Sequence, residues 1–159
     1  MEHEHHHAHC SHHSTEKQTP AEVVEQCLKI LKNAGFKMTK KREEILMYFA
    51  ESDRYMSAQD IHRMMAEKYP TMSYNTTYRN IYDFVENGLL EGTEYNHEQM
   101  FRISCGEQSH HHHHFICTGC GITIPLDACP MEQVTTDLSK VKIESHRFEV
   151  FGKCEQCQM

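Results

Sequence analysis

Two C-x-x-C pairs, Cys117-Thr118-Gly119-Cys120 and Cys154-Glu155-Gln156-Cys157, stand 33 residues apart and limit what the C-terminal third of this chain can become. Each pair sets two thiols on one tight turn. Four thiolates at this spacing match a closed tetrahedral zinc site, in which sulfur fills every coordination position and none is left for chemistry. The intervening stretch must then leave one point and return to it, as a β-α-β excursion does. Just before the first pair, separated from it only by Phe115-Ile116, runs His110-His111-His112-His113-His114, a second kind of metal ligand beside the first.

Eight cysteines in 159 residues would also suit a disulfide-rich secreted protein. No N-terminal basic region followed by an apolar one is present, and no stretch reaches 18 apolar residues, so the chain reads as soluble and cytosolic and metal ligation as the better use of its thiols. The formal charge of −7 is unevenly spread. Residues 27 to 80 carry a local balance of +4, whereas residues 81 to 159 carry −7 and residues 1 to 26 carry −4. A basic segment inside an acidic chain is where a nucleic-acid surface is sought.

Residues 1 to 19 contain seven histidines and few apolar side chains, and read as a disordered His-rich tail. Its His3-Glu4-His5-His6-His7 formally fits a metalloprotease pattern, which needs an ordered helix that the tract does not offer. From Pro20 onward four helical patterns follow. The first carries Val23, Val24, Cys27, Leu28 and Leu31 to a stop at Gly35; the second opens at Thr39 and carries Ile45, Leu46, Tyr48 and Phe49. Ser57 with Asp60 forms a capping-box pattern for the third, which ends near Pro70. The fourth starts at Ser73, turns Tyr78, Ile81, Tyr82 and Val85 inward, and stops at Asn87-Gly88.

Two extended segments, near Leu89 to Glu94 and Gln99 to Ile103, flank the turn Tyr95-Asn96-His97-Glu98. Helices closing on such a hairpin describe a winged helix-turn-helix, here over residues 20 to 104. Residues 105 to 159 read as a second, α/β unit, with strands at His113 to Cys117, Ile122 to Leu126 and Val141 to Val150 and a helix near Met131 to Leu138. Its apolar content is small, so a zinc staple and a partner subunit are both expected sources of stability.

In a helix-turn-helix the second helix enters the major groove. That helix begins Ser73-Tyr74-Asn75-Thr76-Thr77-Tyr78-Arg79-Asn80, and its hydroxyls, amide and guanidinium are candidate DNA contacts, with Lys37, Lys40, Lys41 and Arg42 placed to neutralise phosphates. Strand alternation sends His112 and His114 to one side and His111 and His113 to the other. One strand then serves two metal sites, with Cys105 and Glu91 as further donors on the hairpin side and Glu132 and His146 in the second unit. Cys10, Cys27 and Cys129 lack paired spacing and read as free thiols or core residues.

Several of these stretches, Thr39-x-x-Arg42, Thr76-Thr77-Tyr78-Arg79-Asn80, His110 to Cys120, Cys129-Pro130-Met131-Glu132 and Phe151-Gly152-Lys153-Cys154-Glu155-Gln156-Cys157, together resemble the ferric uptake regulator family, most closely its zinc uptake regulator branch, over about residues 21 to 159. The resemblance implies a homodimeric α+β protein: an N-terminal winged helix and a C-terminal α/β dimerisation domain with structural zinc on Cys117, Cys120, Cys154 and Cys157. It implies operator contacts by Tyr78 and Arg79, a regulatory site at the hinge from Glu91, Cys105, His112 and His114, and a third site from His111, His113, Glu132 and His146. Tyr55 stands where peroxide- and iron-sensing members commonly place a His ligand.

One thiolate, two imidazoles and one carboxylate form a soft four-coordinate set suited to Zn²⁺, whereas iron and manganese sensors favour nitrogen and oxygen throughout. The expected function is therefore a zinc-responsive repressor of zinc-uptake genes, with no enzymatic activity. An iron, manganese or peroxide sensor on the same scaffold and a zinc buffer or chaperone are the alternatives.

Overall fold

The computed structural model describes residues 18–104, 113–134 and 138–159, with the side chain of Glu132 excepted. The His-rich tract to residue 17, Cys105, His111 and His112 lie outside the described residues.

Helix α1 (Pro20–Asn33) starts from Thr19, whose hydroxyl accepts from the Glu22 amide while the Glu22 carboxylate accepts from the Thr19 amide, a reciprocal capping box with Pro20 in the first turn. Thr39 caps α2 (Lys40–Ala50) through the Arg42 amide, and Ser57 with Asp60 closes a second capping box on α3 (Ala58–Lys68). Ser73 caps α4 (Tyr74–Glu86) by accepting from the Thr76 amide at 3.2 Å. The faces of these helices meet in one core, where Leu31, Ile45, Leu46, Phe49, Ile61, Met65, Ile81 and Phe84 are fully buried.

The wing is an antiparallel hairpin, β2 (Leu90–Tyr95) and β3 (Glu98–Ile103), joined by Asn96 and His97 with φ of 52° and 61°. Positive φ at both central residues is the geometry whose twist matches a tight hairpin. A two-residue strand β1 (Met56–Ser57), absent from the periodicity, pairs with the outer edge of β3 and ties the start of α3 to the wing.

The second sheet has the order β5-β4-β6. β4 (His113–Cys117) is central, antiparallel to β5 (Thr123–Leu126) and parallel to β6 (Glu149–Gly152). Between β5 and β6 lies the short helix α5 (Met131–Val134). The strand expected over Val141 to Val150 is confined to Glu149–Gly152. Val141 and Ile143 are exposed, so no apolar face is buried there to fix a longer strand.

The two sheets touch directly. The Tyr55 amide donates to the Gly121 carbonyl at 2.8 Å, Arg54 and Ile122 form an isolated antiparallel bridge, Thr123 donates to the Asp53 carbonyl at 3.0 Å, and Thr93 donates to Glu149 at 2.9 Å. Tyr55, Met100 and Ile116 form a small buried cluster at this junction, with Tyr95 set edge-on to Tyr55.

Candidate metal centres and DNA-reading face

The two C-x-x-C turns converge at the end of β4 and beyond β6. The four sulfurs of Cys117, Cys120, Cys154 and Cys157 all lie within 4.8 Å of one another. At a zinc–sulfur bond of about 2.3 Å, the edge of a sulfur tetrahedron is ~3.8 Å. Cys120 and Cys154 stand 3.8 Å apart, so the donor set fits such an ion. A side chain at Gly119 would bring its Cβ to 2.9 Å from the Cys157 sulfur, so the turn needs glycine to close around the cluster. Burial alone would raise the Cys117 thiol, but amides donated to its sulfur by Cys154, at 3.3 Å, and Gly119, also at 3.3 Å, help bring it down to about 6. Amide donation of this kind favours the thiolate that metal binding requires.

Around the strand that leads into this knot, neighbouring histidines part company. His114 and His113 take different partners. His114 Nε2 lies 3.1 Å from the Arg102 guanidinium, and the same guanidinium nitrogen lies 3.4 Å from Glu91. Glu91 of the wing and His114 of the second sheet thus meet at one positive group, in a cleft of about 390 Å³ that Tyr55, His113, His146 and Arg147 also line. Tyr55 occupies the hinge as a buried phenol donating to Glu91 at 3.4 Å; burial, reinforced by the Glu91 charge, raises its pKa. Cys105 and His112, the other two hinge donors expected from the resemblance, are outside the described residues.

His113 is 4% exposed, and its Nε2 lies 3.3 Å from His146 Nε2. The third corner is Cys129, with its sulfur 3.4 Å from His113 and 3.5 Å from His146. Cys129, which its spacing presents as a free thiol or core residue, stands close to both histidines. The signal lay in its place beside Pro130 at the head of α5, but only tertiary closure brings His146 to it. His111 and the Glu132 side chain, the remaining members of the expected third site, are not described.

The recognition helix also divides. Its buried stripe is Thr77, Ile81 and Phe84, and Tyr78 and Tyr82 are 45% and 53% exposed, which corrects the inward placing of both tyrosines. Thr77 is fully buried, with its hydroxyl 2.9 Å from His62 Nδ1, so it contributes to the packing of α3 on α4 rather than to a DNA-facing surface. Spacing of i, i+4 and i+7 to Ile81 and Phe84 carried that signal. Ser73, Asn75, Tyr78 and Arg79 are exposed and Thr76 is half-buried, with Tyr74 stacked on Tyr78 at 6.2 Å between ring centres.

Arg42 departs from a phosphate-facing role. Its Nε donates to Asn80 at 3.1 Å, one terminal nitrogen donates to the Lys37 carbonyl, the other lies 3.7 Å from Asp83, and the guanidinium stacks over Phe36. It clamps α2 to the recognition helix.

Residues 33–151 match the Ferric uptake regulator family. A Ferric uptake regulation protein of Staphylococcus epidermidis is 47% identical over 131 residues, covering 82% of this chain and 94% of the relative. The chain belongs to the ferric uptake regulator family. One from Staphylococcus aureus is likewise 47% identical, over 82% of this chain and 95% of its own. Among solved structures, the Helicobacter pylori ferric uptake regulator Fur superposes with a TM-score of 0.68 at 23% identity, covering 89% of this chain and 95% of that one. A zinc uptake regulator complexed with zinc and DNA gives 0.67 at 24% identity, covering 89% and 97%. At these identities the structural matches establish the α+β fold.

Membership makes this protein a metal-binding, DNA-binding transcription regulator rather than an enzyme. Among the described residues no helix is long and apolar enough to cross a membrane.

Proposed function

We propose that the protein is a cytoplasmic zinc-responsive repressor of zinc-uptake genes, with zinc as co-repressor. The observation that carries the reading is the meeting of Glu91 and His114 across the junction of the two sheets, one from the wing and one from β4. A ligand joining these side chains to Cys105 and His112 would couple occupancy to the angle between the sheets, and so to the spacing of two recognition helices in the dimer. Arg102 already holds the pair with a positive charge and must withdraw for a divalent ion to take its place.

Donor chemistry supports zinc. Cys105 brings a thiolate to the hinge set, and four thiols close the structural site, which suits a borderline-soft ion better than iron or manganese. A swing from 1:99 to 99:1 in the DNA-competent state requires about 5.5 kcal/mol of differential affinity, so several hinge donors must act together. The exposed apolar side chains Ile124, Val134, Val141 and Ile143 support a dimer surface on the second unit.

Alanine substitution tests the hinge. Cys105→Ala, His112→Ala and His114→Ala should each abolish zinc-dependent operator binding while leaving the four-cysteine zinc in place. Retained zinc dependence in these variants would end the reading. A second reading, iron responsiveness, is favoured by the names of the Staphylococcus relatives, each a ferric uptake regulation protein. Operator binding activated by Fe(II) and unaffected by loss of the Cys105 thiol would favour it.

A further inference from the structure

Three donor atoms bordering the hinge cleft form a nearly equilateral triangle. His113 Nε2 lies 3.3 Å from His146 Nε2 and 3.4 Å from the Cys129 sulfur, and the sulfur lies 3.5 Å from His146 Nε2. With bonds of about 2.3 Å to sulfur and 2.05 Å to nitrogen, a tetrahedral zinc ion sets nitrogen–nitrogen edges of ~3.3 Å and sulfur–nitrogen edges of ~3.6 Å. The three separations fall on those edges. Pairwise hydrogen bonds would account for each spacing alone; all three donor atoms converging within 4.8 Å is what suits an ion.

Three separate elements deliver the corners: His113 opens β4, Cys129 precedes α5, and His146 lies just before β6. Phe148 packs edge-on against the His113 ring at 5.5 Å and restricts its rotation. His113 is buried, and Cys129 and His146 are each partly covered, so the site is shielded without being sealed.

We propose that Cys129 supplies a thiolate to a labile zinc-type site with His113 and His146, making this site sulfur-containing and selective for soft divalent ions. One further oxygen or nitrogen donor would complete the tetrahedron. A carboxylate and imidazoles alone would hold iron, manganese and zinc with little discrimination beyond the general affinity order; a thiolate shifts the preference toward zinc and cobalt. The proposal deepens the zinc reading but does not depend on DNA binding, so it can fail while zinc-dependent repression stands, and the reverse.

Cobalt provides the readout, because a cysteine thiolate bound to Co(II) gives a near-ultraviolet charge-transfer band that imidazole and carboxylate do not. Full-length protein retaining its four-cysteine zinc is titrated with Co(II) in a Cys105→Ser background, which removes the hinge thiol. A charge-transfer band should appear there and vanish in the Cys105→Ser/Cys129→Ser variant. Zinc affinity at the site should fall by more than the roughly 10–100-fold that loss of an outer-shell partner costs.

An unchanged band in the double variant, or no band in the Cys105→Ser protein, would overturn the proposal. Should the double variant fail to fold, alkylation of unmodified protein decides: zinc should slow modification of Cys129 more than tenfold, and equal rates with and without zinc would refute its ligation.

Discussion

The Tyr55 amide and the Gly121 carbonyl, 2.8 Å apart, join the winged helix to the second sheet by a backbone hydrogen bond. Gly121 can stand there because it lacks a side chain: at φ of 75°, an added Cβ would lie 2.4 Å from the Tyr55 carbonyl oxygen. Gly35 has a φ of 88° with nothing within 4 Å of the same position, and so serves as a control. Gly35→Ala should cost about 1–2 kcal/mol, the ordinary penalty for a left-handed conformation. Gly121→Ala should cost clearly more in denaturant unfolding and should speed amide exchange at Tyr55. Equal costs for the two substitutions would mean that the junction carries no strain-sensitive contact.

Arg42 and Arg79 make opposite predictions. Since Arg42 is committed to Asn80, Lys37 and Asp83, Arg42→Ala should destabilise the folded protein by roughly 1–3 kcal/mol and leave the salt slope of operator binding unchanged. Exposed Arg79 has the reverse role: Arg79→Ala should leave stability within about 0.5 kcal/mol and, as a phosphate contact, lower the salt slope by about 1. Urea melts and anisotropy at several salt concentrations check both.

The four-cysteine knot holds the end of β4 against the end of β6 in a sheet with few buried apolar residues; within β4, β5 and β6 only His113, Ile116 and Cys117 are buried. Stripping its metal with a strong chelator should therefore dissociate the dimer and unfold the second sheet, while the winged helix, with its own core, keeps its helical circular dichroism. Complete loss of helical signal on chelation would contradict this division.

Cys27, buried in α1, has its thiol pushed up by burial to about 11. At pH 8 it is protonated as well as shielded, so alkylation of folded protein freed of labile metal should leave Cys27 unmodified long after Cys129 has reacted. Mass spectrometry of the cysteine peptides reads the order, and Cys27 should still lag at pH 9, where its thiolate remains a small fraction of the thiol.

What could be read in the sequence was local. Thr39, the Ser57–Asp60 pair and Ser73 mark helix starts because a cap needs only its own first turn, and the C-x-x-C spacing fixes each thiol pair before any tertiary structure exists. Thr77 was assigned to the wrong face because its type suggested hydrogen bonding to DNA, while its spacing to Ile81 and Phe84 placed it in the core. Arg42 looked like a phosphate ligand because its acceptors, Asn80 and Asp83, are 38 and 41 positions away. Cys129 stayed hidden for the same reason: neither His113 nor His146 is near it in the chain, and only the packing of β4 and of the segment before β6 closes the triangle.

Zinc control of DNA binding is tested most directly by operator affinity measured with the four-cysteine zinc retained and the labile sites loaded in turn with Zn(II), Fe(II) or Mn(II) under anaerobic conditions. Relative affinity alone does not discriminate, since most sites bind zinc more tightly than iron or manganese. The informative quantity is operator affinity at saturating metal. Zn(II) should raise it strongly, with Fe(II) and Mn(II) leaving it near the value without labile metal. Operator affinity as high with Fe(II) or Mn(II) as with Zn(II), or unchanged by zinc, would contradict the account.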